Sequence, residues 1–304
     1  MSVLIAEQIL NGLQFGMTLF LMAAGLTLVF GVMGLINLAH GSLYMIGAFA
    51  CAAVAAATGS FWLGLAAALA AAAAAGAIIE VAVIRRLYAR DHLDQVLATF
   101  ALILILSEGT RWLFGSFPLY LNMPPLLEGT VTLPGGVVYP VYRLAVIAAG
   151  GLVALLLFLL IGRTRLGTRI RAGEADREMI AALGIDIARL YTIVFAIGAA
   201  LAGLAGALVG VLQSVQVGMG EPVLILAFVV IVIGGIGSIK GALAGSLLVG
   251  VIDVMGRALL PIGVAGLFGP EAAGLGAALA SMAIYVLMAL VLIVRPQGLF
   301  GSAA

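Results

Sequence analysis

The chain has 304 residues, 64% of them hydrophobic and only 9% charged, and its 14 basic and 13 acidic side chains leave a net charge of +1. A soluble globular domain carries about 25% charged residues, so this coat is too thin to clothe a water-soluble protein of this length. A soluble enzyme, a nucleic-acid-binding module and a disordered chain are excluded, and a polytopic membrane protein is implied. Cys51 is the only cysteine, so there is no disulfide framework and no thiol metal cluster. His40 and His92 are too few and too far apart in the chain for a zinc site. The opening Met1-Ser2-Val3-Leu4 lacks the basic stretch and small-residue cleavage site of a signal peptide, so the first apolar segment is expected to be a permanent span.

A membrane-crossing helix needs about 20 apolar residues. No Asp, Glu, Lys or Arg interrupts the chain between Glu7 and Glu80, a length that suits three spans near 8–30, 35–57 and 61–84. Gly31–Gly34 and Thr58-Gly59-Ser60 supply the breaks. Further spans are expected near 96–115, 142–162, 190–213, 222–239, 241–260 and 272–294, with the pair around Lys240 short or tilted. All but three of the basic residues (Arg111, Arg143 and Arg257) fall in 85–94, in 163–189, or at Lys240 and Arg295. The positive-inside rule places those loops in the cytoplasm, which gives nine spans with the N-terminus outside and the C-terminus inside. The count is eight if the first stretch holds two spans and a re-entrant piece. Residues 116–141 contain prolines and no basic residue and read as a compact external loop, with room for a small hairpin at Thr130–Leu133.

The 41 glycines include spacing-four pairs, Gly12/Gly16, Gly206/Gly210, Gly237/Gly241 and Gly241/Gly245. In lipid such pairs let helix backbones approach, and ordinary close packing is the plain reading. Polar groups at membrane depth ask for more. Asn37, His40, Gly41 and Ser42 interrupt the apolar run, and Asn37 and His40, three apart, would share a helix face. They read either as a capped helix break or as a broken helix lining a polar cavity. Asp253 with Arg257, and Glu108 with Arg111, are spaced to pair along a helix. Gln213, Ser214, Gln216 and Glu221-Pro222 mark an outer turn or are interface residues. Lys240 follows a glycine-rich run, yet Ile239 and Gly241 stand where a phosphate loop needs Gly and Ser/Thr, so the chain has no ATPase site of its own.

The cytoplasmic segment 163–189 holds the densest charge. A short helix over 172–186 is expected, with acids toward its start and Gly184 closing it. Ala172, Ala175, Met179 and Ala182 would give it a small, shallow face. It is either a solvated connector or a helix that docks into a partner's groove.

In this order the pieces resemble the permease subunits of branched-chain amino-acid ABC importers, the LivH-like half of the pair. The resemblance rests on Asn37-Leu38-Ala39-His40-Gly41, on Arg171-Ala172 through Ala181-Ala182-Leu183-Gly184-Ile185, and on Phe195 with Ala202-Gly203-Leu204-Ala205-Gly206. It continues in Gly234-Gly235-Ile236-Gly237-Ser238 with Gly241 and Gly245, and in the closing Val294-Arg295-Pro296-Gln297-Gly298-Leu299-Phe300-Gly301. Ribose-type and urea-type permeases share parts of the pattern. The resemblance implies an all-α polytopic bundle of 8–9 spans with the ABC importer permease fold, one permease domain over 1–304 in the inner membrane. It implies a homologous second permease subunit, two cytosolic ABC ATPase subunits that consume the ATP, and a periplasmic substrate-binding protein, with no cofactor or metal in this chain. It makes Ala172, Ala175, Glu178, Ala181, Ala182, Gly184 and Ile185 candidates for coupling to the ATPase. Asn37, His40, Gly41 and Ser42 become candidates for the translocation path.

An ion-coupled secondary transporter would need intramembrane titratable groups and repeat halves; Asp253, Glu221 and His40 are the candidates, and no repeat is evident. An intramembrane enzyme would need a catalytic motif such as His-Glu-x-x-His or Gly-x-Ser-x-Gly, and neither is present.

Overall fold

The computed structural model describes residues 2–301. Eleven helices follow one another among them: α1 (Ser2–Met33), α2 (His40–Thr58), α3 (Phe61–Ala82), α4 (His92–Phe114), α5 (Val141–Arg163), α6 (Arg165–Ala175), α7 (Arg177–Ala182), α8 (Ile187–Val209), α9 (Gly220–Gly234), α10 (Ile239–Phe268) and α11 (Ala273–Val294). Eight of them are long and apolar enough to cross a membrane. The α9 helix is equally apolar but has 15 residues, about 22 Å of rise against a hydrocarbon core of about 30 Å. Between α4 and α5, β1 (Thr130–Leu133) and β2 (Val137–Pro140) form the small antiparallel hairpin allowed for in the sequence, with Leu133 opposite Val137.

The first three spans break where glycine and small polar residues said they would. Gly34 has φ +65° after α1, Gly59 has φ +69° after α2, and the Ser60 hydroxyl caps α3 by accepting from the Leu63 amide. Other boundaries moved. The span expected over 190–213 runs Ile187–Val209, and that expected over 222–239 stops at Gly234. The span expected over 241–260 starts at Ile239, where the Ser238 hydroxyl accepts from the Gly241 amide, and runs to Phe268. It therefore continues through Pro261, a residue that removes one helical donor but is tolerated inside membrane helices.

The described chain divides into two compact units. One holds Leu21–Pro124 and Leu152–Leu226. Here α2, α3 and α8 pack on one another through small residues: Gly203 of α8 meets both Gly47 of α2 and Ala72 of α3, and Gly76 of α3 meets Ala199 of α8. The second half of α1 joins them, with Gly25 against the Gly198 carbonyl of α8. The other unit holds the chain up to Phe20, Pro125–Gly151, and the chain from Ala227 onward. In it Gly12 and Gly16 of α1 lie against Gly250 and Ser246 of α10, and Gly276 of α11 lies against Leu260. Gly241 of α10 touches Gly234 of α9, and the tail folds back so that the amides of Leu299 and Phe300 donate to the carbonyls of Ile233 and Gly234, at 2.8 and 2.9 Å. Gly12, Gly16 and Gly241 are thus packing residues, whereas Gly237, with φ +80°, serves the turn between α9 and α10.

Candidate translocation and coupling elements

After α1 ends, the chain does not continue outward from the helix end. It doubles back: the His40 Nε2 atom lies beside Gly25, about two helical turns before Met33. Leu35, Asn37, Ala39 and His40 are at most 1% exposed, while Gly34 is exposed and Ile36 and Leu38 are half-buried. Irregular backbone at membrane depth is tolerated where it is buried in protein or lines a water-filled cavity. Asn37 stands before α2, not on it, so the expectation that Asn37 and His40 share a helix face is corrected. The Asn37 Oδ1 instead accepts the Ala39 amide at 3.0 Å, a turn just before α2, whose start has no side-chain cap.

The start of α2 is fixed by a second close approach. Gly41 lies against the Gly220 backbone at the start of α9, where a side chain on either residue would collide with main chain. Around this point buried polar atoms accumulate without partners: the Asn37 Nδ2, the Ser42 Oγ, the Tyr44 hydroxyl and, on α1, the Thr27 hydroxyl, while the His40 ring has only the Met22 backbone to bond. Each such group costs about 1–3 kcal/mol relative to a bonded one. A cluster of them concentrated at one helix break marks a place that water or a polar solute would satisfy. The structure brings Asn37, His40, Gly41 and Ser42 together as a buried polar knot.

The segment expected as one helix over 172–186 is two. The Asp176 carboxylate turns outward from the helical path and accepts the amides of Glu178 and Met179, ending α6 and capping α7 at once. Asp and Asn compete with the helix for backbone amides in this way, which is why such a residue splits a helix instead of extending it. Ala172 and Ala175 lie on α6, Glu178, Ala181 and Ala182 on α7, and Gly184 and Ile185 in the turn beyond. Gly184 has φ +81°; its amide bonds to the Ala181 carbonyl and that of Ile185 to the Ile180 carbonyl, a Schellman closure as the sequence expected. Ile170 and Ile180 are buried, and Gly173 between them lies against Leu190, Val32 and Ile180. Ala175, Met179, Ala181, Ala182 and Leu183 are exposed, with Met179 at 59% and Leu183 at 75%. Glu174, partly sheltered at the end of α6, has its carboxyl raised above the usual range by burial.

One polar cluster escaped the sequence reading. Glu80, 0% exposed at the end of α3, accepts from Arg85 Nε at 3.2 Å and Nη2 at 2.9 Å, from the Tyr88 hydroxyl at 2.9 Å and from the Thr192 hydroxyl at 2.7 Å. Burial, and then the charge of Glu80, push the Tyr88 phenol up, so it stays protonated and donates. The only sequence signal was that Glu80 ends the uncharged run; its partner Thr192 is remote in the chain. The two helical pairs expected from spacing both form, Arg257 Nε to Asp253 at 2.9 Å and Arg111 to Glu108.

Helices of membrane length, with an irregular break in one unit and a short capped helix pair between two long spans, define a polytopic helical membrane protein. The chain belongs to the family described as branched-chain amino acid transport system / permease component, whose model matches residues 8–294. It is 34% identical to the high-affinity branched-chain amino acid transport system permease protein BraD of Pseudomonas aeruginosa, over 97% of this chain and 95% of that protein. It is 30% identical to the corresponding protein LivH of Escherichia coli, again over 97% and 95%. The ribose import permease protein RbsC of Escherichia coli is 29% identical over 77% of this chain and 72% of its own length. No solved structure matches significantly.

Proposed function

We propose that the chain is the membrane-spanning subunit of an ATP-driven importer and passes branched-chain amino acids across the inner membrane by alternating access. The reading is carried by the end-to-end family match over residues 8–294. The relatives matched over nearly their whole length are branched-chain amino-acid permeases, whereas the ribose permease is matched over a shorter stretch.

In this reading a homologous second permease completes the pathway, two cytosolic ABC ATPase subunits hydrolyse ATP, and a periplasmic binding protein delivers the substrate. The N-terminus is periplasmic and the C-terminus cytoplasmic, which takes the basic loops at 85–94 and 163–189 as cytoplasmic and counts the short α9 as a ninth crossing. The α6–α7 pair meets the ATPase with the exposed apolar face formed by Ala175, Met179, Ala181, Ala182 and Leu183. Its inner face, Ile170, Gly173 and Ile180, rests near the root of α8, so a push on α7 reaches a membrane helix directly. Asn37, His40, Gly41 and Ser42 line the path: the unbonded Asn37 Nδ2 and Ser42 Oγ offer a zwitterion a donor and a hydroxyl as it sheds water, held in place by the tight contact of Gly41 with Gly220. Alternating access then opens this knot first to one side and then to the other.

The test is an uptake screen with the complex reconstituted in proteoliposomes, comparing leucine, isoleucine and valine with other amino acids, urea and a pentose. Preferential uptake of the branched-chain set supports the assignment. Preference for urea or the pentose moves the chain to a neighbouring permease subfamily.

A further inference from the structure

We propose that Glu80, Arg85 and Thr192 form a latch that makes α3 and α8 answer to α7 as one body, so that these three residues position the bundle for transport without touching the substrate. The inference rests on the ATP-driven reading above and adds to it the element that carries the movement.

The chain of contacts is continuous within one compact unit. Beyond the Gly184 turn, the Asp186 side chain caps α8 by accepting the Arg189 amide at 3.0 Å, so α7 is fastened to the first turn of α8 by the four residues 183–186. One and a half turns into α8, the Thr192 hydroxyl donates its hydrogen between Glu80 Oε2 at 2.7 Å and the Ala188 carbonyl at 2.9 Å. Its oxygen accepts from Arg85 Nη2 at 2.8 Å. Arg85 belongs to the 3-10 turn that follows α3, and its two donors also grip Glu80. Tyr88 closes the group: its hydroxyl bonds Glu80 and lies 3.5 Å from the Met33 sulfur at the end of α1, and its ring meets that of Tyr191 edge-on at 5.0 Å.

The chemistry is poorly suited to ordinary packing. Glu80 is fully buried while its partner Arg85 is 37% exposed, so the carboxylate is desolvated and depends on its donors, and removing one leaves it short of a partner. Such a group behaves as an all-or-none fastener. It is also directional: the carboxylate joins α3 to α8, and the covalent Ile185–Asp186 turn joins α8 to α7. The glycine contacts farther along α8 set how closely the helices approach; a bidentate guanidinium with a shared hydroxyl also fixes their register.

The test uses the assembled transporter in proteoliposomes, with ATP hydrolysis and substrate uptake measured on the same vesicles for Glu80→Gln, Thr192→Val and Thr192→Ser. Valine removes only the hydroxyl at nearly constant shape, and serine restores it. The expected result is that Glu80→Gln and Thr192→Val complexes assemble and hydrolyse ATP, while substrate moved per ATP falls by about tenfold, a typical coupling energy for linked sites, and Thr192→Ser recovers it. Uptake and hydrolysis falling in the same proportion, with the ratio unchanged, would overturn the latch and leave a structural ion pair. Failure of Thr192→Val to assemble would count the same way, whatever Glu80→Gln does. Wild-type uptake without ATP would be seen before any variant and would sink the ATP-driven reading together with the latch.

Discussion

Replacing Gly25 by alanine is expected to destabilise the protein severely although the change adds one carbon. Gly25 sits where α1 crosses α8, and a Cβ there would stand 2.5 Å from the Gly198 carbonyl oxygen and 3.0 Å from the His40 Nε2 atom. Ordinary contact begins at 3.4 Å, so the crossing must open by about 0.9 Å, and a gap of that size already forfeits a quarter to a half of the dispersion well for each facing pair. Overpacking of a tight core costs about 1–3 kcal/mol when side chains can shift. Here the obstacle is main chain on a packed helix, so about 3 kcal/mol is expected. In thermal unfolding of the purified protein in detergent, that corresponds to a fall in Tm on the order of 5 °C or more. Gly109→Ala in α4 is the internal control. Gly109 is helical and exposed and a Cβ there meets nothing within 4 Å, so alanine should leave Tm unchanged or raise it, by up to about 1 kcal/mol of helix propensity. Equal Tm values for the two variants would refute the claim that glycine-mediated backbone contact holds this unit together.

Asp176→Ala removes the acceptor for two amides at the start of α7, with an expected cost of about 1 kcal/mol; hydrogen exchange should quicken over 177–182 while the long helices stay protected. Gly184→Pro, at a residue with φ +81° that proline cannot adopt, should abolish transport without unfolding the bundle, checked by uptake alongside helical circular dichroism. Met179→Asp and Leu183→Asp change exposed side chains and should leave Tm within about 0.5 kcal/mol of wild type, yet prevent co-purification with the ATPase subunits. Retention of the ATPase by both would remove α7 from the interface.

Span positions were legible because a run of about 20 apolar residues is nearly a physical definition of a membrane helix, and because Gly34, Gly59 and Ser60 punctuate by conformation and capping. The local pairs Asp253–Arg257 and Glu108–Arg111 were legible for the same reason: helical spacing places them in reach. What local pattern could not supply was any contact made by folding. Glu80 meets Thr192 across the bundle, and nothing in the residues around either announces the other. The doubling back at Asn37–His40 was equally hidden, since a polar interruption reads the same whether the chain leaves the helix end or returns along it. The coupling segment failed for a subtler reason. Its composition is helical throughout, and a single aspartate with an extended φ of −155° is enough to divide it. The span expected over 241–260 was too short because α10 runs on through Pro261 to Phe268, a proline that a packed membrane bundle tolerates.

The central claim is that this chain supplies the pathway and a separate ATPase supplies the energy. It is tested most directly by loading proteoliposomes that contain the full complex with leucine-binding protein on one face, and comparing leucine uptake with ATP, with a non-hydrolysable ATP analogue, and with an imposed proton or sodium gradient alone. The account predicts uptake with ATP only, and none from vesicles that contain this chain without the ATPase. Robust gradient-driven uptake by the chain alone would contradict it.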